Sequence, residues 1–222
     1  MRYLFFILFT LGSNVLISAQ AAKTETSDPK AKVILDKVKK IYDGYSGWET
    51  NFELGIKLAE QKKESVQKGK FYQSGEKFRV EMGNQLIFSD GALVYQKSDN
   101  VVRIMKPSKN STQMLSPRDF IRMYEKKEFT YAIVSDVPEG WSKKATQIVF
   151  KPNNRRSEYT QMKMFIDQKT NYIVSIQAFG RDASRYALRM ESPSVNKTYA
   201  SSQFTFDAAK FPNVKVEDMR DE

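Results

Sequence analysis

Apolar positions in this chain recur first with a helical period and then, for most of its length, with the period of two that marks a strand. Asp28-Pro29 supplies an N-cap and a first-turn proline, and apolar residues follow at Ala31, Ile34, Leu35, Val38, Ile41, Tyr42 and Tyr45. That spacing predicts one amphipathic helix of about four turns. From Trp48 the period shortens: Trp48, Phe52, Leu54, Ile56 and Leu58 share one face while Glu49, Asn51, Glu53 and Lys57 take the other. A turn around Gln61 to Glu64 leads to "VQKGKFYQ" and then to "KFRVEM", where Phe78, Val80 and Met82 alternate with Arg79 and Glu81.

The next stretch, "QLIFSDGALVYQ" from Gln85 to Gln96, breaks the alternation. Asp90-Gly91 predicts a tight hairpin turn, yet Leu86, Ile87 and Phe88 run consecutively, as do Leu93, Val94 and Tyr95. Both faces of this hairpin therefore need cover. "VVRIMKP" continues the meander after a turn at Asp99-Asn100. "SPRDFIRMYEKKE" then predicts a second amphipathic helix, with Ser116 as N-cap, Pro117 in the first turn, Asp119 in capping position and Phe120, Ile121 and Tyr124 as its stripe. Strands resume with "FTYAIVSD", "ATQIVFKP", "YTQMKMFID", "NYIVSIQAF", "RYALRMES" and "SSQFTFD", and "KFPNVKVEDMRDE" offers a last strand and a charged tail.

Ten or eleven strands with two capped helices make an α+β protein built on one antiparallel sheet. A sheet of that length twists and tends to curl, which gives it a concave side, and the amphipathic helices are the elements available to fill it. Composition narrows the chemistry. The chain has no His and no Cys, so it cannot build a Ser-His-Asp or Cys-His nucleophile, a His-based zinc site or a His general base. "DQKTN" from Asp167 lacks the glycine and closing Glu of a calcium loop and reads as a hairpin turn. No cofactor or metal site is indicated. The start, with Arg2 before an apolar stretch from Tyr3 to Ile17 and small residues ending in Ala19-Gln20-Ala21, has the order of a secretory signal peptide, giving residues 1–21 as a cleaved leader and 22–222 as a single domain. The formal charge is +10, but the basic residues are spread as doublets (Lys62-Lys63, Lys126-Lys127, Lys143-Lys144, Arg155-Arg156), the pattern of a solvated surface. Nucleic acid is a poor partner for an exported chain.

The order of leader, amphipathic helix, "GKFYQSGEKFRVE", "FSDGALVYQ", a mid-chain Ser-Pro helix and the ending "FTFDAAKFPNVKVEDMR" resembles the outer-membrane lipoprotein carrier protein (LolA) family. The likeness runs from about Asp28 to Arg220. Its most specific pieces are the Ser89-Asp90-Gly91 turn and the closing Phe204, Phe206, Pro212, Val214, Val216, Asp218 and Arg220. The resemblance implies a curved, incompletely closed antiparallel β-barrel with a helical lid over its apolar concave face, and a periplasmic carrier, not an enzyme, whose cavity shields the acyl chains of lipoproteins. It also implies cargo received from an inner-membrane ATP-binding-cassette release complex and, in some lineages, passed to an outer-membrane receptor lipoprotein. One departure stands out: many members carry a basic residue and a proline, the base tying the lid to the barrel, where this chain has Ser74 and Gly75.

Strand parity within this frame gives the acyl-contact candidates Phe52, Leu54, Ile56, Phe78, Val80 and Met82, with Leu86, Phe88, Leu93 and Tyr95 from the hairpin. A one-residue shift would pass the hairpin's share to Ile87 and Val94. Lid candidates are Ile34, Val38 and Ile41 on the first helix and Phe120 and Tyr124 on the second. Met82, Met105, Met114, Met162 and Met164, in or near strands, suit an adaptable wall. The chain is expected to act as a monomer. The same cavity would also serve free lipid or glycolipid, and a carboxylate-dependent hydrolase of an envelope polymer stands as the alternative outside binding proteins.

Overall fold

The computed structural model describes residues 26–107, 117–134, 144–211 and 213–220. Helix α1 (Pro29–Asp43) forms where the apolar stripe predicts it, with the Asp28 carboxylate accepting the Lys30 amide at 2.8 Å. Its buried residues are Ala31, Leu35, Val38 and Tyr42. Lysines and acids fill the other side, paired one turn apart as Lys32–Asp36 and Lys39–Asp43.

The strands follow as β1 (Trp48–Lys57), β2 (Ser65–Ser74), β3 (Lys77–Met82), β4 (Gln85–Ser89), β5 (Val94–Ser98) and β6 (Val101–Met105). After the short helix α2 (Pro117–Arg122) and a 3-10 turn (Met123–Glu125) come β7 (Phe129–Val134), β8 (Ala145–Pro152), β9 (Tyr159–Asp167), β10 (Ile173–Gly180), β11 (Arg185–Met190), β12 (Ser194–Val195) and β13 (Lys215–Asp218). All belong to one sheet in the order β13-β6-β5-β4-β3-β2-β1-β11-β10-β9-β8-β7, with β12 beside the start of β1. Among the described residues thirteen strands replace the ten or eleven expected, the sheet is open, and every pair is antiparallel except β13 against β6. "SSQFTFD" is not a strand. Ser201–Gln203 form a 3-10 turn, and Phe204 is buried rather than laid in a ladder.

α1 lies across the inner, concave face from one edge of the sheet to its centre. At its start, Asp28 donates its amide to the Tyr131 carbonyl of β7 at 2.8 Å, while the Ser27 hydroxyl accepts from the Tyr131 amide. At its end, the Tyr42 ring meets Trp48 edge-on at 5.0 Å and its hydroxyl accepts from the Ile173 amide. The buried faces of both helices and the inner strand positions form one cluster, whose largest members include Phe150, Leu35, Ile148 and Met164. Phe150 is fully buried, with Tyr131 at 5.6 Å and Phe129 edge-on at 6.4 Å.

Side-chain hydrogen bonds tie α2 and its 3-10 extension to α1. The Arg122 guanidinium donates through Nη2 to both oxygens of Asp43 at 3.1 and 3.0 Å, and the Tyr124 hydroxyl donates to Asp36 at 2.8 Å. Burial works to raise the Asp43 carboxyl, but hydrogen bonds from Lys39 and Arg122 outweigh it and hold Asp43 below the usual carboxylate range. Hydrogen bonds from Lys32 and then Tyr124 hold Asp36 low in the same way.

A carboxyl depressed in the folded state contributes stability above its unfolded value, and that contribution disappears as pH falls through the folded value. Between about pH 5 and about pH 2 the melting temperature is therefore expected to fall less in the Asp36→Asn/Asp43→Asn variant than in the native protein. Scanning calorimetry measures the difference, and equal slopes would remove the tether's role. In the core, Phe150→Ala is expected to lower unfolding free energy by about 3–5 kcal/mol in urea titration, with an unchanged m-value.

Candidate functional site

The candidate site is the inner face itself, and register decides which side chains reach it. Phe52 stands between Gly69 of β2 and Met190 of β11, Leu54 between Gln67 and Leu188, and Ile56 between Ser65 and Tyr186. Phe71 pairs with Val80, and Gly69 with Met82. Phe52, Leu54, Phe78, Val80 and Met82 thus join the helix-packed cluster, and Ile56 shares their face. Phe52, Phe78 and Val80 are buried, whereas Leu54, Ile56 and Met82 are half-buried. Gly69 is required where it stands, because a Cβ there would lie 2.3 Å from the Phe52 ring, which stacks on Phe71 with centroids 4.3 Å apart.

The hairpin departs from expectation. Leu86, Phe88, Leu93 and Tyr95 form a separate cluster on the outer face, and Ile87 and Val94 take the inner positions beside Val80 and Met105. The reason is the preceding two-residue turn at Gly83-Asn84, which pairs Met82 with Gln85 and so puts Gln85, Ile87 and Ser89 on the inner face and Leu86 and Phe88 on the outer one. Asp90 to Leu93 make a four-residue loop rather than a two-residue turn, with the Asp90 carboxylate accepting the Ala92 and Leu93 amides and the Ser89 hydroxyl donating to the Leu93 carbonyl. Ser89 therefore pairs with Val94, and Phe88 with Tyr95. The outer cluster is covered by the C-terminal segment: Phe88 stacks on Tyr95, Tyr95 on Phe206, and Phe206 on Phe211 at 5.1, 5.8 and 5.8 Å.

Of the lid candidates, Ile34, Val38, Phe120 and Tyr124 pack in the inner cluster, while Ile41 is half-buried and outside it. Ser116 and Met114 lie outside the described residues. The question raised by Ser74 and Gly75 has a structural answer of reversed polarity. Glu76, in the β2–β3 turn beside Gly75 at φ +57°, pairs with Arg118 of α2, so the acid sits on the sheet and the base on the helix.

Sequence reasoning named no acyl-contact candidate on β7 to β11. Ile148, Met164 and Ile176 stand abreast on the inner face, as do Tyr131, Phe150 and Met162 on three neighbouring strands. The alternation in "ATQIVFKP" and "YTQMKMFID" carries that signal, and Met162 and Met164 mark the parity. An aromatic group closes one end of the face, where the Tyr45 and Tyr172 hydroxyls meet at 3.0 Å. Burial, with that contact, pushes the Tyr45 hydroxyl up to about 12. "DQKTN" is a turn closed by Asp167, whose carboxylate accepts the Lys169 and Thr170 amides. Among the described residues, no three His, Cys, Asp or Glu side chains gather as a metal would need, and no helix is long and apolar enough to cross a membrane.

Solved structures are similar to this chain at low identity. A conserved protein from Thermus thermophilus matches with a TM-score of 0.54 and 13% identity over 85% of this chain and 99% of its own. A LolA superfamily protein from Nitrosomonas europaea aligns at 0.43 and 11%, over 80% of this chain and 98% of its own. The Mycobacterium tuberculosis lipoprotein LppX aligns at 0.46 and 12%, over 79% and 100% respectively. A search of curated proteins gives no match. The family model described as outer membrane lipoprotein carrier protein LolA matches residues 43–207, from the last residue of α1 through the start of the C-terminal segment. With an open sheet, an apolar helix-covered face and a family match over most of its length, this chain belongs to the LolA family.

Proposed function

We propose that the protein is an exported carrier that shields the acyl chains of lipoproteins against its inner face and moves them through the periplasm from the inner to the outer membrane. The observation that carries this reading is an apolar face continuous across the sheet, from Met105 on β6 to Ile133 on β7, with Leu54, Ile56, Met82, Ile87 and Met190 only half-buried. Each acyl CH₂ removed from water is worth about 0.8 kcal/mol, so the task asks for adaptable apolar surface and no reacting group. Met162 and Met164 on β9, with Met82 on β3 and Met105 on β6 across the sheet, are walls that repack easily.

In this role the leader at residues 1–21 directs export, an inner-membrane ATP-binding-cassette complex loads the carrier, and an outer-membrane receptor lipoprotein accepts the cargo from a monomeric carrier. α1 and α2 act as the lid. Arg122–Asp43 and Tyr124–Asp36 join its helical elements to each other, and Arg118–Glu76 with the Asp28 and Tyr42 hydrogen bonds to β7 and β10 fasten it to the sheet, so opening breaks these contacts rather than unfolding a strand.

Native mass spectrometry of protein released gently from the envelope is expected to show acylated polypeptide bound. Extracted lipid without polypeptide would assign a free-lipid carrier instead. Leu54→Glu, at a half-buried inner position, is expected to abolish that co-purification. Val66→Glu, 51% exposed and paired with Gly55 on the outer face, is expected to leave it intact. Equal cargo in both variants would sink the inner face as the site.

A further inference from the structure

Beside the end of the inner face closed by aromatic residues lies a cavity of about 240 Å³ between α1, α2 and the β2–β3 turn. Tyr42, Trp48 and Ile121, three of its walls, belong to the inner cluster, so the cavity adjoins the space proposed for acyl chains. Its other walls are polar, and two of their atoms are buried without a partner. Gln73 on β2 is 6% exposed. Its Nε2 donates to the Gly75 and Lys77 carbonyls at 2.7 and 3.1 Å, which fixes the side-chain amide and leaves Oε1 with nothing to accept. Arg122 on α2 spends Nη2 on Asp43, and its buried Nε–H has no acceptor. Native proteins rarely leave such groups unpaired, and a pair of them on one small cavity marks a place for a ligand that carries both a donor and an acceptor.

The charge around the cavity selects among such ligands. Arg118 and Arg122 are already neutralised by Glu76 and Asp43, so an anion entering here would meet two carboxylates along with the two guanidiniums. A neutral group is favoured, and an acyl chain would leave Gln73 and Arg122 unpaired. We infer that, when α2 shifts to uncover these two atoms, this cavity binds a backbone amide of polypeptide, its N–H donating to Gln73 Oε1 and its C=O accepting from Arg122 Nε, beside the Tyr42–Trp48 pair. The inference rests on the carrier reading and adds to it. The protein recognises the peptide at the point where it leaves the lipid, so it distinguishes an acylated polypeptide from a membrane phospholipid of equal chain length.

The test titrates the full-length mature protein with two probes by native mass spectrometry. One is a synthetic S-dipalmitoylglyceryl-cysteinyl pentapeptide amide, and the other is dipalmitoylglycerol. Arg122→Lys keeps a cation for Asp43 but removes Nε, and Gln73→Leu removes the acceptor. Each is expected to weaken lipopeptide binding about tenfold while changing dipalmitoylglycerol binding less than about twofold. Loss of both probes in Gln73→Leu alone reports damage to the β2–β3 turn, and Arg122→Lys then decides. Equal affinity of the native protein for both probes, unmoved by Arg122→Lys, overturns the amide site while leaving the carrier reading in place. Failure of the lipopeptide to bind the native protein overturns both. The same dependence on Gln73 and Arg122 for dipalmitoyl glucosylglycerol would show that the cavity reads hydroxyls, which also overturns it.

Discussion

A sheet that does not close on itself leaves a wide apolar face with no strand opposite it, and the rest of this structure answers that constraint. α1 supplies the cover, lying across the face from β7 to Trp48 and burying Ala31, Leu35, Val38 and Tyr42. The burial is hydrophobic and largely non-directional, which lets a helix or a bound chain serve in the same place. Directional contacts to the sheet lie at Asp28 against β7, Tyr42 against β10 and Arg118 against Glu76, while Asp36 and Asp43 bind α1 to α2 and its 3-10 extension. Against the sheet, the middle of α1 holds by packing and its ends by hydrogen bonds.

An open sheet also has two free edges, which would otherwise pair with other chains. Ser27 and Asp28 occupy backbone groups of β7 at one edge, so the residues that start α1 also cap the sheet. At the other edge β13 is only four residues long and carries Lys215, Glu217 and Asp218. Short length and charge are the usual ways of making an edge unattractive.

Most of the architecture was legible because its signals are periodic. α1 could be read from its cap and stripe, and β1 and β3 from strict alternation. Parity failed at the "QLIFSDGALVYQ" hairpin, where three consecutive apolar residues carry no information about which face is inner. There the Gly83-Asn84 turn decided, by pairing Met82 with Gln85 and so turning Ile87 inward, while the Asp90 carboxylate gathers two amides and sets Ser89 opposite Val94. The second cover was illegible for a related reason. Phe206 and Phe211 look like a strand pattern in sequence, yet they stack on Tyr95 from outside the ladder. The cavity at Gln73 was beyond reading altogether, since it exists only where β2, α1 and α2 meet.

The position of β1 in the sheet has a consequence for how the chain reaches this structure. β1 is the first strand in sequence and a central one in space, with β2 on one side and β11 and β12 on the other. One side of it can zip as soon as the β1–β2 hairpin forms, but the other waits for residues 185–195. The far edge waits longer still, for β13. Contacts this distant in sequence make folding slow, and they keep the half-made sheet splittable until the last residues arrive. A polypeptide of this topology is committed late, so its N-terminal half can be threaded through a narrow passage before the C-terminal half makes the arrangement permanent.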